Sequence, residues 1–551
     1  MLLQFLLKLF APIIDYVATN HRALAMTVVV LPLSFLMRCY MAASDVLYAA
    51  FMSDPGAHDK RVKRIQHDVK ARLSRPISKR KKMCTARAPW QNLSTRFADY
   101  KKNSDCIYVG DMREVLEVDE ERLTVTLEPL VNVGKITKYL VSRGYMLATT
   151  LEVEEATIGG LAMAVGMTTA SHKYGLLSET VLEYEIVLGD GERIFVRPEG
   201  EHKELFYTLP WSHGSLGLLV SIKMKIIKIQ PYVKVKYRPI VTKNMRVYCD
   251  KIRDLALKDQ DEVADFVEAT IFSKESAVVM TGRFVNTPGV DGPVNNVGWF
   301  FKPWYYTHVR TMLEKSNAET LVEYIPVYQY IFRHNRAIFW TLNDQLPEYI
   351  GNNILFRYLF GWLNPPMVTF LKLPATPAIR KEMMLSRVYQ DITLPISSME
   401  KAILKADELF NIWPILVYPS RIYDHGAESK QGLFRKPLKS EMVRGTNYAM
   451  YFDLGVYGIP TQVKEQKQFK AVYSMREMEE FTRGVGGAPF LYADTCMTFK
   501  EFNEMFDLTL YNRVRKRYKS DEHFPHVFDK TSGCQSFDWK EVLQEELRST
   551  K

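Results

Sequence analysis

The chain has 551 residues, 47% hydrophobic and 25% charged, which describes a folded protein of two or three domains and excludes a disordered one. Its formal net charge of +10 is local, because residues 58–102 carry fifteen Lys/Arg against three Asp/Glu, a balance of +12, and the remainder sums to about −2. No zinc-finger, RNP or helix-turn-helix pattern accompanies that run, so a nucleic-acid partner is not expected.

The N-terminus is apolar. Met1–Val17 contains only Lys8 and Asp15 as charges, and Ala23–Met37 contains none. A span needs roughly 20 apolar residues, which this run reaches if Arg38 snorkels to the interface. An uncleaved single-pass anchor fits better than a cleaved signal peptide, since no small-residue cleavage site follows. The basic run from Lys60 to Lys82 comes next and predicts a cytosolic body, with positive charge resting on anionic headgroups. Residues 1–57 are therefore assigned to the membrane anchor. The six cysteines (39, 84, 106, 249, 496, 534) show no CxxC and no His-rich spacing, as for reduced thiols in a cytosol-facing chain. They suggest neither a metal site nor a disulfide framework.

From Cys84 the pattern becomes mixed α/β. Leu123–Leu127 alternates as a strand and Val133–Arg143 reads as an amphipathic helix closed by Gly144. Val181–Leu188 and Arg193–Arg197 form a hairpin turned by Gly189-Asp-Gly191, and Leu218–Ile229 is a further alternating strand. Beyond residue 232 aromatic-rich segments appear, Trp299–Tyr306 and Tyr358–Trp362 among them, as expected of a second domain with a broad apolar interior. Expected boundaries are a first domain over 58–232, a substrate (cap) domain over 233–480 and a C-terminal segment, 481–551, packing back on the first domain.

The stretch with chemical promise is Thr157-Ile158-Gly159-Gly160-Leu161-Ala162-Met163-Ala164-Val165-Gly166-Met167-Thr168-Thr169, followed by Ser171 and His172. Small residues and glycines leave backbone N–H groups open to a diphosphate, and the hydroxyls of Thr157, Thr168, Thr169 and Ser171 suit phosphate or ribitol oxygens. It is neither GxGxxG nor a P-loop. Read alone, it is equally a buried helix of small residues.

That segment, its lead-in Glu152-Val-Glu-Glu155, the hairpin and the element Glu204–Leu218 with its Gly-Ser-Leu-Gly turn resemble the vanillyl-alcohol-oxidase-type flavoproteins with a PCMH-type FAD domain. Cys84-Thr-Ala-Arg87, Ser171-His-Lys-Tyr-Gly175, Lys302-Pro-Trp304, Glu323-Tyr-Ile-Pro326, Tyr358–Trp362, Leu491-Tyr-Ala-Asp494 and Phe524–Asp529 resemble the Δ24-sterol reductase family (Diminuto/Dwarf and seladin proteins) over nearly the whole chain. The resemblance implies an α+β fold, with a two-part FAD domain, a mixed α/β cap and an N-terminal membrane helix. It also implies noncovalent FAD, NADPH as reductant, a sterol drawn from the membrane as substrate, and a location in the endoplasmic reticulum membrane. Ala164 departs from the family's glycine. The reaction, saturation of an isolated C24–C25 alkene, needs a general acid and a water-poor pocket. Tyr451, Asp453, Tyr492 and Asp494 are the candidate proton donors, and His172 a candidate cofactor contact. Two other readings stay open: a sugar-lactone or alcohol oxidase of the same fold, and a noncatalytic membrane scaffold.

Overall fold

The computed structural model describes residues 16–548 apart from 18–19, 88–92, 94–97, 259–261, 316–319, 369–375, 427–431 and 533–536. Most of the apolar stretch Met1–Val17, and Cys534, therefore lie outside the described residues.

Helix α1, Arg22–Phe51, is long and apolar enough to cross a bilayer. The basic helix α2, His58–Leu73, does not float beside it. Val62, Ile65 and Val69 are buried, and the buried Arg61 and Arg72 pair with Glu128 and Asp105 at 2.8 and 3.1 Å. Part of the basic run is thus structural, and residues such as Lys60 and Lys63 are exposed to solvent. Strands β1, Met83–Thr85, and β2, Asp105–Ile107, pair in parallel and set Cys84 opposite Cys106 with their sulfurs 3.4 Å apart. Spacing of 22 residues in the chain concealed that proximity, and both thiols are free.

The first large sheet contains β3 (Val115–Asp119), β4 (Thr124–Leu127), β5 (Tyr145–Leu147), β6 (Val181–Val187), β7 (Arg193–Val196) and β8 (Leu218–Lys228). Its order is β3-β4-β8-β6-β7, with β5 also on β8. Asn132 caps helix α3, Val133–Val141, by accepting from the Lys135 N–H, and Gly144 just beyond it has φ +80°. The β6–β7 turn likewise places Gly191 at φ +86°.

The second sheet is antiparallel and contains β9 (Tyr232–Val241), β10 (Phe266–Ser273), β11 (Ser276–Val285), β12 (Leu321–Pro326), β13 (Val388–Pro395), β14 (Ile415–Tyr423), β15 (Tyr448–Gly458) and β16 (Ala488–Pro489). Its order is β12-β9-β11-β10-β14-β15-β13-β16. One face is apolar, with Leu394, Val417, Phe452 and Leu454 packing on the helices Arg246–Ala256 and Met399–Leu409 through Ile252 and Ile403. Because side chains alternate along a strand, the residues between them point the other way, toward the first sheet. The C-terminal helices return to the element 204–218, where Arg515 donates to the Ser215 carbonyl at 2.7 Å and Ser520 to the Leu216 carbonyl at 2.9 Å.

Candidate active site

A cavity of about 600 Å³ lies between the two sheets. One wall is the Gly-rich segment. Helix α4, Ile158–Met163, occupies its first half, and the chain then bends at Ala164 and continues without regular structure past Val165. Thr157, Gly160, Leu161, Ala164, Val165, Gly166 and Met167 reach the cavity. The two adjacent glycines serve different ends. A Cβ at Gly159 would sit 2.5 Å from Pro129 Cβ, so Gly159 permits close packing of the chain on itself. At Gly160 it would meet only the Thr157 hydroxyl, at 2.9 Å, on the cavity side.

Ile158, Gly159, Ala162, Met163, Thr168, Thr169, Ser171 and His172 do not line the cavity. Ser171 Oγ accepts from the Thr168 N–H at 2.9 Å, and Thr168 Oγ1 from the Ala170 N–H at 3.1 Å. His172 is fully buried between the carbonyls of Thr169 (3.0 Å) and Ala264 (2.8 Å), and burial lowers its pKa to about 4. Its placement ties the segment to the second sheet, where Val267 N–H also donates to the Thr169 carbonyl at 2.8 Å.

Beside the Gly-rich wall stand two cations that sequence reading did not assign to the site. Arg87 Nη1 lies 3.4 Å from Thr157 Oγ1. Lys530 is half-buried, donates to the carbonyls of His213 and Gly214, and has its pKa lowered by desolvation to about 7. Helix α4, small residues and two sequestered positive charges fit a diphosphate, whose binding would relieve the desolvation of both cations. Arg87 was visible in the resembling motif, whereas Lys530 has no sequence signal because more than half the chain separates it from the loop it faces.

The opposite wall is the inward face of β13, β14 and β15, which presents Tyr389 and Asp391, Tyr418, and Asp453 and Tyr457. Asp453 shares a hydrogen bond with Asp391. Asp391 in turn accepts from the hydroxyls of Tyr457 and Tyr492. Burial, and then the neighbouring Asp391 charge, hold the Asp453 pKa far above the carboxylate range. Asp391 is raised by burial too, but its two tyrosine donors oppose the rise, so it ionises first. Asp453 Oδ1 and the Tyr418 hydroxyl are buried with no hydrogen-bond partner among the described residues.

Of the four candidate donors, Asp453, Tyr492 and Asp494 reach the cavity and Tyr451 does not. Tyr451 packs its ring on Phe434 at 5.7 Å, with its hydroxyl 3.5 Å from the Gly486 carbonyl. Gln390 Nε2 donates to the Asp494 main-chain carbonyl at 2.9 Å. Glu152, from the acidic lead-in, also lines the cavity, and burial raises its pKa to about 8 against the pull of Arg333. Asp391 was missed. A lone charged residue in the strand-like run Val388–Pro395 was the available signal.

This arrangement is that of an FAD-binding flavoprotein, and residues 71–197 match the family model described as "FAD binding domain". The chain is 36% identical over 529 residues to a Δ24-sterol reductase of Mus musculus, with 96% of each chain covered. It is 35% identical over 528 residues to that of Homo sapiens, again covering 96% of each, and 34% identical over 541 residues to that of Pisum sativum, covering 94% and 92%. The chain belongs to the Δ24-sterol reductase family and is an FAD-linked oxidoreductase.

Proposed function

We propose that the chain reduces the C24–C25 double bond of a sterol side chain, with NADPH as electron source and noncovalently held FAD as carrier. The observation that carries this reading is one continuous apolar cavity with the cationic Gly-rich wall on one side and a neutral carboxyl on the other. When bound, FAD supplies the hydride. Gly160, Ala164, Arg87 and Lys530 would hold its diphosphate, and the small side chains keep the wall flat enough for close approach.

The protein's own part is the proton. An isolated trisubstituted alkene accepts hydride poorly, so protonation at C24 must accompany or precede hydride arrival at C25. Asp453 keeps its proton because losing it would place a second negative charge against Asp391 in a dry site. Donation becomes tolerable when Tyr457 and Tyr492 disperse the resulting charge through their hydrogen bonds to Asp391. Tyr492 therefore acts by supporting Asp391, and Asp453 is the donor. Apolar walls exclude the water that would quench a cationic carbon. The membrane supplying the sterol is that of the endoplasmic reticulum, with the body on the cytosolic side where NADPH is available.

Incubating detergent-solubilised protein anaerobically with NADPH and a Δ24-sterol tests this. The saturated sterol should form and NADPH should be consumed in equal amount. Purified protein without flavin absorbance, or NADPH-independent turnover requiring oxygen, sinks the reading.

A further inference from the structure

Each charged side chain of α1 has a partner on the body of the protein, although that of Asp45, near the C-terminal end of the helix, stays 58% exposed. Arg22 lies 3.6 Å from Glu382, Arg38 donates to the Leu363 carbonyl at 2.8 Å, and Asp45 lies 3.5 Å from Arg113. Between and beyond them the same face is tied down repeatedly. Met26 and Leu31 are buried, Ser34 Oγ accepts from the Met367 N–H at 2.7 Å, and Arg113 stacks 3.6 Å above the Tyr48 ring. Ser53, just past the helix, donates to Glu114 at 3.0 Å. These contacts run the length of a helix of about 45 Å. The widest interval between successive tied charges or hydrogen-bonded residues, Arg22 to Ser34, is about 18 Å, against a hydrocarbon core of about 30 Å. In this packing α1 cannot cross a bilayer while the body stays outside it.

Its outer face is a different surface. Leu24, Val28, Leu36, Tyr40, Leu47 and Phe51 are between 59% and 82% exposed, and no charge interrupts them. Helix α5, Ile354–Phe360, continues this face, with Leu355 70%, Tyr358 57% and Leu359 62% exposed. Its one charged residue, Arg357, is turned inward to the Phe301 carbonyl at 2.6 Å. The two helices meet at the turn just after α5, where Phe35 packs edge-on against Trp362 at 4.9 Å. Aliphatic side chains ringed by Tyr and Trp are the composition of a surface seated at the headgroup–acyl boundary.

We propose that the protein is monotopic: α1 lies in the plane of the membrane, and its outer stripe and that of α5 form one apolar face embedded in a single leaflet. The occupant is acyl chain, because the face carries no charge over two helices and belongs to the helix that, among the described residues, is long and apolar enough to cross a bilayer. This placement also puts the cavity beside the lipid. Val368, next to the Met367 that holds Ser34, lines the cavity and donates its N–H to Glu155 at 3.2 Å. The inference is independent of which molecule the cavity reduces.

The test uses the full chain with Cys39→Ser and Cys106→Ser, carrying a single new cysteine in place of Leu36 or Leu355. Each is labelled with an environment-sensitive nitrobenzoxadiazole and reconstituted in phosphatidylcholine vesicles containing nitroxide quenchers at shallow or deep acyl positions. Both labels should shift to the blue, and both should be quenched more by the shallow probe. A Leu355 label in water with a Leu36 label quenched best at the bilayer centre means a spanning helix and overturns the proposal. So does shielding that persists without lipid and grows with protein concentration, which would assign the face to a second copy. As an orthogonal measure, glycosylation acceptor tags fused ahead of Met1 and after Lys551 should both stay unmodified in microsomes. Modification of the first alone overturns the in-plane placement.

Discussion

Replacing Asp453 by Asn separates a proton donor from a structural carboxyl, because the two roles predict opposite changes in stability. Asparagine keeps the shape and the capacity to hydrogen-bond Asp391 but has no acidic proton. The groups left nearby are poorer donors. Tyr457 and Tyr492 have pKa values driven up by burial and spend their hydroxyls on Asp391, whose own ionisation those donors favour. General-acid catalysis contributes about 10²–10⁴-fold, or about 3–5 kcal/mol of barrier, so single-turnover formation of saturated sterol should fall by about 10³-fold. The alkaline limb of the pH–rate profile should vanish with it. Stability should move the other way. A carboxyl whose pKa is higher folded than unfolded stabilises fully below the unfolded value, and that contribution is lost as pH rises through the folded one. The substituted amide does not titrate, so urea unfolding of Asp453→Asn should show less loss of stability between neutral and alkaline pH than the parent. Turnover within about threefold of the parent with an unchanged pH profile would refute the argument. A parallel fall in activity and alkaline stability would mark Asp453 as a packing residue only.

Other expectations follow from the same geometry. Glu152→Gln removes a buried carboxyl whose pKa is about 8 against an ordinary 4.5; keeping it neutral up to pH 7 costs up to about 3 kcal/mol, so the variant should gain stability at pH 7 and lose that gain below pH 4.5 in urea titrations. Lys530, with a pKa near 7, should take up a proton when a diphosphate binds, so FAD affinity measured by flavin fluorescence should weaken as pH rises above 7, and Lys530→Met should abolish that slope. Gly159→Ala forces a methyl against Pro129 and should cost about 1–3 kcal/mol of stability, whereas Gly160→Ala, facing a movable hydroxyl, should fold normally and lower flavin occupancy. Equal flavin content in folded Gly160→Ala and parent protein would remove the Gly160 wall from the cofactor site.

What could be read from the chain is what local chemistry decides. Period-two alternation with Gly189-Asp-Gly191 specified the β6–β7 hairpin, and Asn132 and Gly144 bracket α3 because caps and positive φ are properties of single residues. The Gly-rich segment was legible for the same reason, although one glycine proved to serve the fold and the other the cavity. Which polar residues face inward was not legible: Thr168 and Ser171 close on their own backbone and His172 bridges the Thr169 and Ala264 carbonyls, a choice made by the contact with the second sheet.

Partnerships across sheets and termini were decided only by tertiary structure. Asp391 and Asp453 lie on neighbouring strands, and it is their shared burial, absent from any sequence pattern, that keeps Asp453 neutral. Cys84 and Cys106 meet because two short strands pair in parallel, and Lys530 reaches the first domain because the C-terminal helices return to residues 213–216. The N-terminal helix shows the division most plainly. Its apolarity, written in residues 22–51, calls for lipid, while the body contacts of Arg22, Arg38 and Asp45 determine which face can meet it. Hydropathy is a sum over residues and needs no fold, whereas the direction a charge points exists only once its partner is in place.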